Sequence, residues 1–526
     1  MANSKFILRG GSLVGPADAQ ILANAGNEAY IVDAGGALCA AVGGESGLAS
    51  TMDGYSLYYT LPIPKAETLG DPAFRADYKT KYAYMGGSMA YGISSVEMVI
   101  ALAKAGCLGS YGTGGLSLET VSEGIDRIQA EVGDRPYCVN MLNNITDPIA
   151  ELNLAKLLVE KNVGAVEASA YINLTKALLY YRVSGLRQGP GGEIERTHKI
   201  IAKVSHEEVA MAFMQPPEPS IVESMLKEGA ITEEQARLAT LVPVADDITM
   251  EADSGGHTDN RPLVSILPAA IAIRDFVMAK QRYQTRIRIG AAGGIATPQS
   301  IVAAFDMGAS YVVAGSVHQS CVEAGTSDYV KELLSTVAMG DVIMTIGPDA
   351  FEMGVKVQAL RKNTMEPMNG LTLYQTYTMY NSFDEVPEKL RKRIINNFFK
   401  MSVEDVWKEC EDYYKKNNPM RLQAAAVLGK VKMALMFRWY IGLAVKWAIE
   451  GNEDRKMDMM IMCGPSMGAF NNWVIGTIFE KPENRRVAQI AEALLDGAAV
   501  LKFARMAEAC GVNPDYLPKY QITPAI

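Results

Sequence analysis

The chain has 526 residues, 49% hydrophobic and 21% charged, enough to bury one large core with additions, which excludes a disordered chain or a disulfide mini-protein. Its formal net charge of -9 offers no basic face for nucleic acid, so nucleic-acid partners are not expected. Seven cysteines lack any C-x-x-C spacing and four histidines lack an H-E-x-x-H pair, which points to a reducing compartment and away from a metal centre.

Met1 to Arg9 hold a short apolar triplet and no leader-like core, so a cytoplasmic protein is expected. Tyr30-Ile-Val-Asp-Ala34 and Ala37-Leu-Cys-Ala-Ala-Val42 flank Gly35-Gly36, predicting a hairpin in a small N-terminal β element. Pro62, Pro64 and Pro72 then interrupt the chain, and a boundary is placed near Arg75. From Tyr82 to Val317 eight short β-rich runs alternate with helical patterns: Tyr82–Met85, Cys107–Tyr111, Tyr137–Asn140, Ala165–Ala168, Ile200–Lys203, Ile248–Glu251, Ile287–Gly290 and Tyr311–Ala314. Eight βα units close naturally as a parallel barrel, although a doubly wound sheet has a similar rhythm. Ser94-Ser-Val-Glu97 reads as a capping box, and Thr297-Pro298 as an N-cap followed by proline at the first helical position. The long link from Lys203 to Ile248 breaks the rhythm and is large enough to be functional.

Beyond Val317 the periodicity is helical to about Glu450. The apolar stretch Val431 to Ile449 contains Lys432, Arg438 and Lys446, so it reads as a packed helix and no membrane partner is expected. An Ala/Leu-rich helix, Val487 to Ala509, is expected to pack back on the barrel. The predicted fold class is α/β: a TIM (β/α)8 barrel with a small N-terminal β element and a helical subdomain inserted after the eighth strand. The expected division is a β-rich domain over 1–75, the barrel over 76–345, the helical subdomain over 346–456 and a C-terminal segment over 457–526.

Parallel barrels carry their chemistry on the loops after the strands, with phosphate commonly bound after strands seven and eight. Here the seventh run continues into Gly290-Ala-Ala-Gly-Gly294 and the eighth into Gly315-Ser316, offering backbone amides and a hydroxyl to a phosphate monoester. Either loop alone would read as a tight turn. No G-x-G-x-x-G or P-loop spacing explains these glycines. The loop after the first run, with Gly87, Ser88, Met89 and Ala90, is compact and uncharged and lets a flat ring such as a flavin approach the backbone. Asn140 and Lys203 end the third and fifth runs, where an amide and a cation can meet a ring edge; each is equally readable as structural. The sixth run ends in Glu251-Ala-Asp-Ser-Gly-Gly-His-Thr-Asp-Asn-Arg-Pro262. His257 there is placed to donate a proton or to polarise a carbonyl, against the plainer role of bracing the loop. His198, His206 and His318 are assigned structural roles.

These residues resemble the PfaD-like trans-acting enoyl reductases of polyketide and polyunsaturated fatty acid synthesis. The resemblance is carried by Glu251 to Pro262, by Val166-Glu-Ala-Ser-Ala-Tyr171 and Ile201-Ala-Lys-Val-Ser205, and later by Phe351-Glu-Met-Gly-Val-Lys-Val-Gln358 and Cys463-Gly-Pro-Ser-Met-Gly-Ala-Phe-Asn471. It runs over nearly the whole chain and implies kinship with the wider nitronate monooxygenase and FabK-type group. FMN is the implied cofactor, with NADPH or NADH as reductant. By the resemblance, Met89 and Ala90 lie beside the flavin, with Gly87 and Ser88 in the same loop. Asn140 and Lys203 contact it, Gly255 and Gly256 line it, and Gly293, Gly294, Ala314, Gly315 and Ser316 hold its phosphate. His257 matches the wider group's catalytic histidine, with Asp253-Ser254 inserted into a Glu-Ala-Gly-Gly-His motif. The implied reaction reduces the 2,3 double bond of an enoyl thioester on an acyl carrier protein, hydride passing from NAD(P)H through FMN. Polyketide or fatty acid synthase machinery is the implied partner, and homo-oligomerisation is left open. Two alternatives stand beside it: a nitronate monooxygenase-like flavin oxidase, and a non-catalytic barrel scaffold.

Overall fold

The structure, a computed structural model, describes residues 6–51, 53–144, 147–348 and 351–525. The first five residues, read above for a leader, lie outside these. Eight parallel strands form a closed barrel: β1 (Tyr84–Gly86), β2 (Leu108–Tyr111), β3 (Cys138–Leu142), β4 (Ala165–Ser169), β5 (Lys199–Val204), β6 (Asp247–Glu251), β7 (Arg288–Ala292) and β8 (Val312–Ala314). Each falls on one of the eight apolar runs. The ring closes where Val312 and Ala314 of β8 pair with Tyr84 and Gly86 of β1. Strands covered on both faces read as continuous apolar runs, and every residue of β2, β4 and β7 is buried.

The N-terminal ends of the strands are sealed by buried ion pairs. Arg182 meets Asp246 at 2.7 Å, Arg288 meets Asp247 at 2.6 Å, and the Tyr78 hydroxyl donates to Asp247 at 2.6 Å. Burial alone would raise the Asp246 carboxyl, but Arg182 and Arg196 outweigh it and hold it down to about 2. With its charges matched in pairs, this end carries stability, and the opposite end is left for chemistry.

Thr297 caps the helix Pro298–Asp306 as expected. The helix after β1, Val96–Lys104, is instead capped by Ser95, whose hydroxyl accepts from the Met98 N–H. Ser94 is diverted into the preceding loop, where its hydroxyl accepts from the Met89 N–H and donates to the Gly87 carbonyl, both at 2.9 Å. Three helices, Glu207–Met214, Pro219–Lys227 and Glu233–Ala239, fill the long link between β5 and β6.

Six antiparallel strands form the N-terminal sheet. Its hairpin, Glu28–Asp33 with Leu38–Val42, turns through Gly35 and Gly36 at φ of 76° and 95°, a region that side chains strain to enter. Ala29, Ile31 and Ala40 pack against Phe503 and Ala507 of the helix Val487–Ala509. That helix also lies on the barrel, where a Cβ on Gly497 would stand 2.6 Å from the Pro298 ring.

The expectation of unbroken helical structure after Val317 is corrected by a second hairpin, Val342–Ile346 with Lys356–Leu360. Its first strand, Val-Ile-Met-Thr-Ile, is a short β-branched run that extends across a sheet more readily than it coils. Helices follow at Glu366–Met379, Glu388–Arg393, Val403–Asn417, Pro419–Val427 and Gly429–Glu450. No described helix is long and apolar enough to cross a membrane; Gly429–Glu450 buries Phe437, Tyr440 and Trp447 in its own subdomain.

Candidate active site

The loops at the C-terminal ends of the strands surround a cavity of about 430 Å³. Every residue expected at the site borders it except Ala314, which is buried in β8 with its carbonyl accepting from the Gly87 N–H at 3.0 Å.

Lys203 is the charged centre of this end. Its Nζ lies 3.6 Å from Glu167 Oε1 and 3.9 Å from Glu251 Oε1, and donates to the Ser88 carbonyl at 3.4 Å. Glu167 Oε2 accepts the Ser88 N–H at 2.7 Å, so both backbone polar groups of Ser88 are held and the β1 loop is fixed. Burial alone would pull the Lys203 ammonium down, yet Glu167 and Glu251 outweigh it and keep it above its ordinary value. Burial pushes the Glu251 carboxyl up, with Lys203 opposing and Glu167 adding to the rise. Glu167 is fully buried; its Oε1 has no hydrogen-bond partner among the described residues and faces the Lys203 charge. Sequence reasoning did not single out Glu167. The available signal was an acid within the buried run Ala165-Val-Glu-Ala-Ser169, a position that is costly unless paired.

Asn140 commits its side-chain amide to β4, donating to the Glu167 carbonyl at 3.0 Å and to Ser169 Oγ at 3.1 Å. The glycines after β7 and β8 divide into two kinds. A Cβ on Gly294 or Gly315 would meet nothing within 4 Å, whereas one on Gly293, at φ +83°, would lie 2.7 Å from the Ala252 carbonyl carbon. A side chain at 293 would therefore strike the backbone of the β6 loop. Ser316 Oγ accepts the Gly464 N–H at 3.0 Å, which draws the C-terminal segment over this corner.

The loop carrying His257 is restrained by the second hairpin. Gly256 N–H donates to the Gln358 carbonyl at 3.0 Å, and Gln358 N–H to the Gly256 carbonyl at 2.7 Å. The Gln358 side-chain amide donates to Asp253 Oδ1 at 2.8 Å and to the Ser254 carbonyl at 2.6 Å, while Asn260 Nδ2 donates to Gln358 Oε1 at 3.1 Å. Asp253 and Ser254 thus share Gln358 as a partner. Gly255 lies so close to Cys463 that a Cβ would stand 2.9 Å from its backbone. His257 is exposed at the mouth, with Nε2 3.7 Å from where a Cβ on Gly347 would sit.

His206 also borders the cavity, which extends the structural role assigned to it. Its Nε2 is 2.8 Å from Asp259 Oδ2, and its Nδ1 is 3.4 Å from the Arg261 guanidinium, so it ties the β5 loop to the His257 loop. His318 is buried with Nε2 2.8 Å from the Tyr84 hydroxyl, and burial pushes it down to about 4, which keeps it neutral. His198 stacks on Tyr181 beside the buried Arg182. Neither borders the cavity.

A profile of the nitronate monooxygenase family matches residues 74–390, and a profile of the inserted helical domain of acyl-carrier-protein S-malonyltransferase matches residues 380–459. The polyketide biosynthesis protein PksE of Bacillus subtilis (strain 168) is 41% identical over 442 residues, 84% of this chain and 57% of that protein. A polyunsaturated fatty acid synthase component of a Thraustochytrium species is 41% identical over 441 residues, 82% of this chain and 30% of that one. The chain spans little more than half of the first and under a third of the second. Among solved structures, the enoyl reductase domain of MlnA from the macrolactin cluster of Bacillus amyloliquefaciens superposes with a TM-score of 0.81 at 39% identity, covering 84% of this chain and 99% of that domain. A FabK variant from Thermotoga maritima, at 18% identity and a TM-score of 0.50 over 82% of this chain and 99% of that one, shares the fold.

Proposed function

The chain belongs to the nitronate monooxygenase family and to its PfaD-like enoyl reductases, and on that premise we propose that it reduces enoyl thioesters on an acyl carrier protein, using FMN and NAD(P)H. The observation that carries this reading is one cavity that gathers the open backbone at Gly294 and Gly315, the Lys203 cation and His257. The residues present fit FMN. The space over Gly294 and Gly315 suits a phosphate, and a cation clamped by two carboxylates suits a ring that gains negative charge.

Gly294, Gly315 and Ser316 would hold the phosphate, the Met89 and Ala90 backbone would flank the ring, and Lys203 and the side-chain oxygen of Asn140, whose amide nitrogen is spent on β4, would meet its polar edge. When bound, FMN supplies a two-electron carrier between a nicotinamide and an electron-poor double bond. Lys203 keeps its charge in the cavity because Glu167 and Glu251 favour the ammonium form. His257, on its restrained loop, polarises the thioester carbonyl or delivers the proton to the α-carbon. Residues of the helix Gly429–Glu450 and Met460 to Met462 also line the cavity.

The deciding experiment is a single anaerobic spectral trace. Purified protein should show flavin absorbance that bleaches with NADPH and recovers on adding a crotonyl thioester. Turnover of an alkyl nitronate with no recovery on the thioester would favour the oxidase, and protein unable to take up FMN would favour a scaffold. Gly315→Leu should lower flavin content with a smaller loss of melting temperature than Gly293→Leu, which should unseat the β6 loop; equal losses from both would remove the phosphate assignment.

Carrier docking is assigned to the helix Glu388–Arg393, where Lys389, Lys392 and Arg393 are exposed. Converting all three to Glu should lower kcat/KM on an acidic carrier-borne substrate by about tenfold or more, through the lost charge steering. Turnover of the free thioester should not change. Undiminished activity on the carrier-bound substrate would refute this docking site.

A further inference from the structure

The cavity has a lining of two chemical kinds. Lys203, Glu251 and His257 supply charged and polar groups from the strand ends. An apolar wall is made by Ile93, Val330, Val445, Ala448, Ile449 and Met460, from four separate parts of the chain. Spacings of three and four residues put Val445, Ala448 and Ile449 on one face of the helix Gly429–Glu450. That face is fixed in place: Ser327 Oγ donates to the Ala448 carbonyl at 2.6 Å, and the Met460 N–H to the Ala444 carbonyl at 3.0 Å. None of these six residues is needed to hold a phosphate, a ring edge or a carbonyl.

An aliphatic chain laid on these six side chains gains about fourfold in affinity for each methylene buried. A thioester whose carbonyl meets His257 has these six apolar side chains within the same cavity for its hydrocarbon end. Ala448 is the smallest of these six side chains, and it borders the cavity.

We infer that this wall is a slot for the aliphatic chain of the substrate and that Ala448 sets the chain length accepted. The inference rests on the enoyl-thioester reading above. A further consequence is that selectivity for chain length resides on the helical subdomain, while the reacting groups reside on the barrel.

The test compares wild-type holoenzyme with Ala448→Val and Ala448→Phe on crotonyl and trans-2-dodecenoyl pantetheine thioesters. If the phenyl group displaces two to four methylenes, kcat/KM on the dodecenoyl thioester should fall roughly 15- to 250-fold. Ala448→Val should give a smaller fall, crotonyl turnover should stay near wild type, and flavin content should be unchanged. Equal losses on both substrates, no loss on either, or a raised KM for NADPH would overturn the assignment. If Ala448→Phe does not fold, the graded loss with Ala448→Val decides alone. Saturated dodecanoyl thioester, which cannot be reduced, gives an independent binding readout by calorimetry. Should wild type bind it, and Ala448→Phe lose it, while no enoyl thioester is turned over, the slot stands and the reductase reading falls. Should enoyl thioesters be reduced without any effect of Ala448, the reverse holds.

Discussion

Lys203→Met is expected to lower stability by about 3 kcal/mol, the lower end for removing one partner of a buried charge pair, because Lys203 and Glu251 keep some contact with solvent. The substitution leaves Glu167 and Glu251 together without their cation. One of them must then hold a proton in the folded state, which raises its folded pKa above the unfolded value. Such a group costs nothing below the unfolded carboxylate pKa and destabilises increasingly as pH rises through the folded one. The melting-temperature gap between wild type and Lys203→Met should therefore be small at pH 4 and wide at pH 8. Adding Glu251→Gln should recover part of the loss at pH 8. A gap that stays constant with pH would show that Lys203 acts through packing and not through charge. Flavin retention should drop in the single variant, since Ser88 and the β1 loop lose an anchor with the lysine.

His257→Ala is the second large effect. If the imidazole supplies the proton or polarises the carbonyl, kcat/KM for enoyl reduction should fall by about 10²- to 10⁴-fold. Flavin content and bleaching by NADPH should persist, because the side chain is exposed at the mouth and the open glycines and Lys203 remain. Stopped-flow measurement of the two half-reactions separates these steps. Slowing of the NADPH half alone would move His257 from the thioester to the nicotinamide, and unchanged turnover would end its role.

The barrel was legible because its strands are covered on both sides, so each leaves a dense apolar run that stands out from the amphipathic helices between. The glycines after β7 and β8 were legible as a pair because their place in the strand count gave them meaning. The direction of each glycine was not: Gly293 and Gly294 are neighbours, yet one presses on Ala252 and the other opens on empty space. Glu167 was hidden because its partners come from other strands; nothing near it in sequence shows that Lys203 and Glu251 meet it. The pair His206 and Asp259 escaped for the same reason, being joined only when the β5 and β6 loops fold together. The second hairpin was missed because Val342 to Ile346 is too short for periodicity to distinguish strand from helix.

The grip of Gln358 on the β6 loop also bears on how such chains can be recombined. Asp253, Ser254, Gly256 and Asn260 all bond to a residue about a hundred positions later, so a crossover placed between β8 and the second hairpin separates partners that a parent sequence keeps together. A chimaera built there would inherit the histidine from one parent and its restraint from the other. Grafting the hairpin along with the β6 loop keeps that set whole, which makes these two distant segments a single unit of exchange.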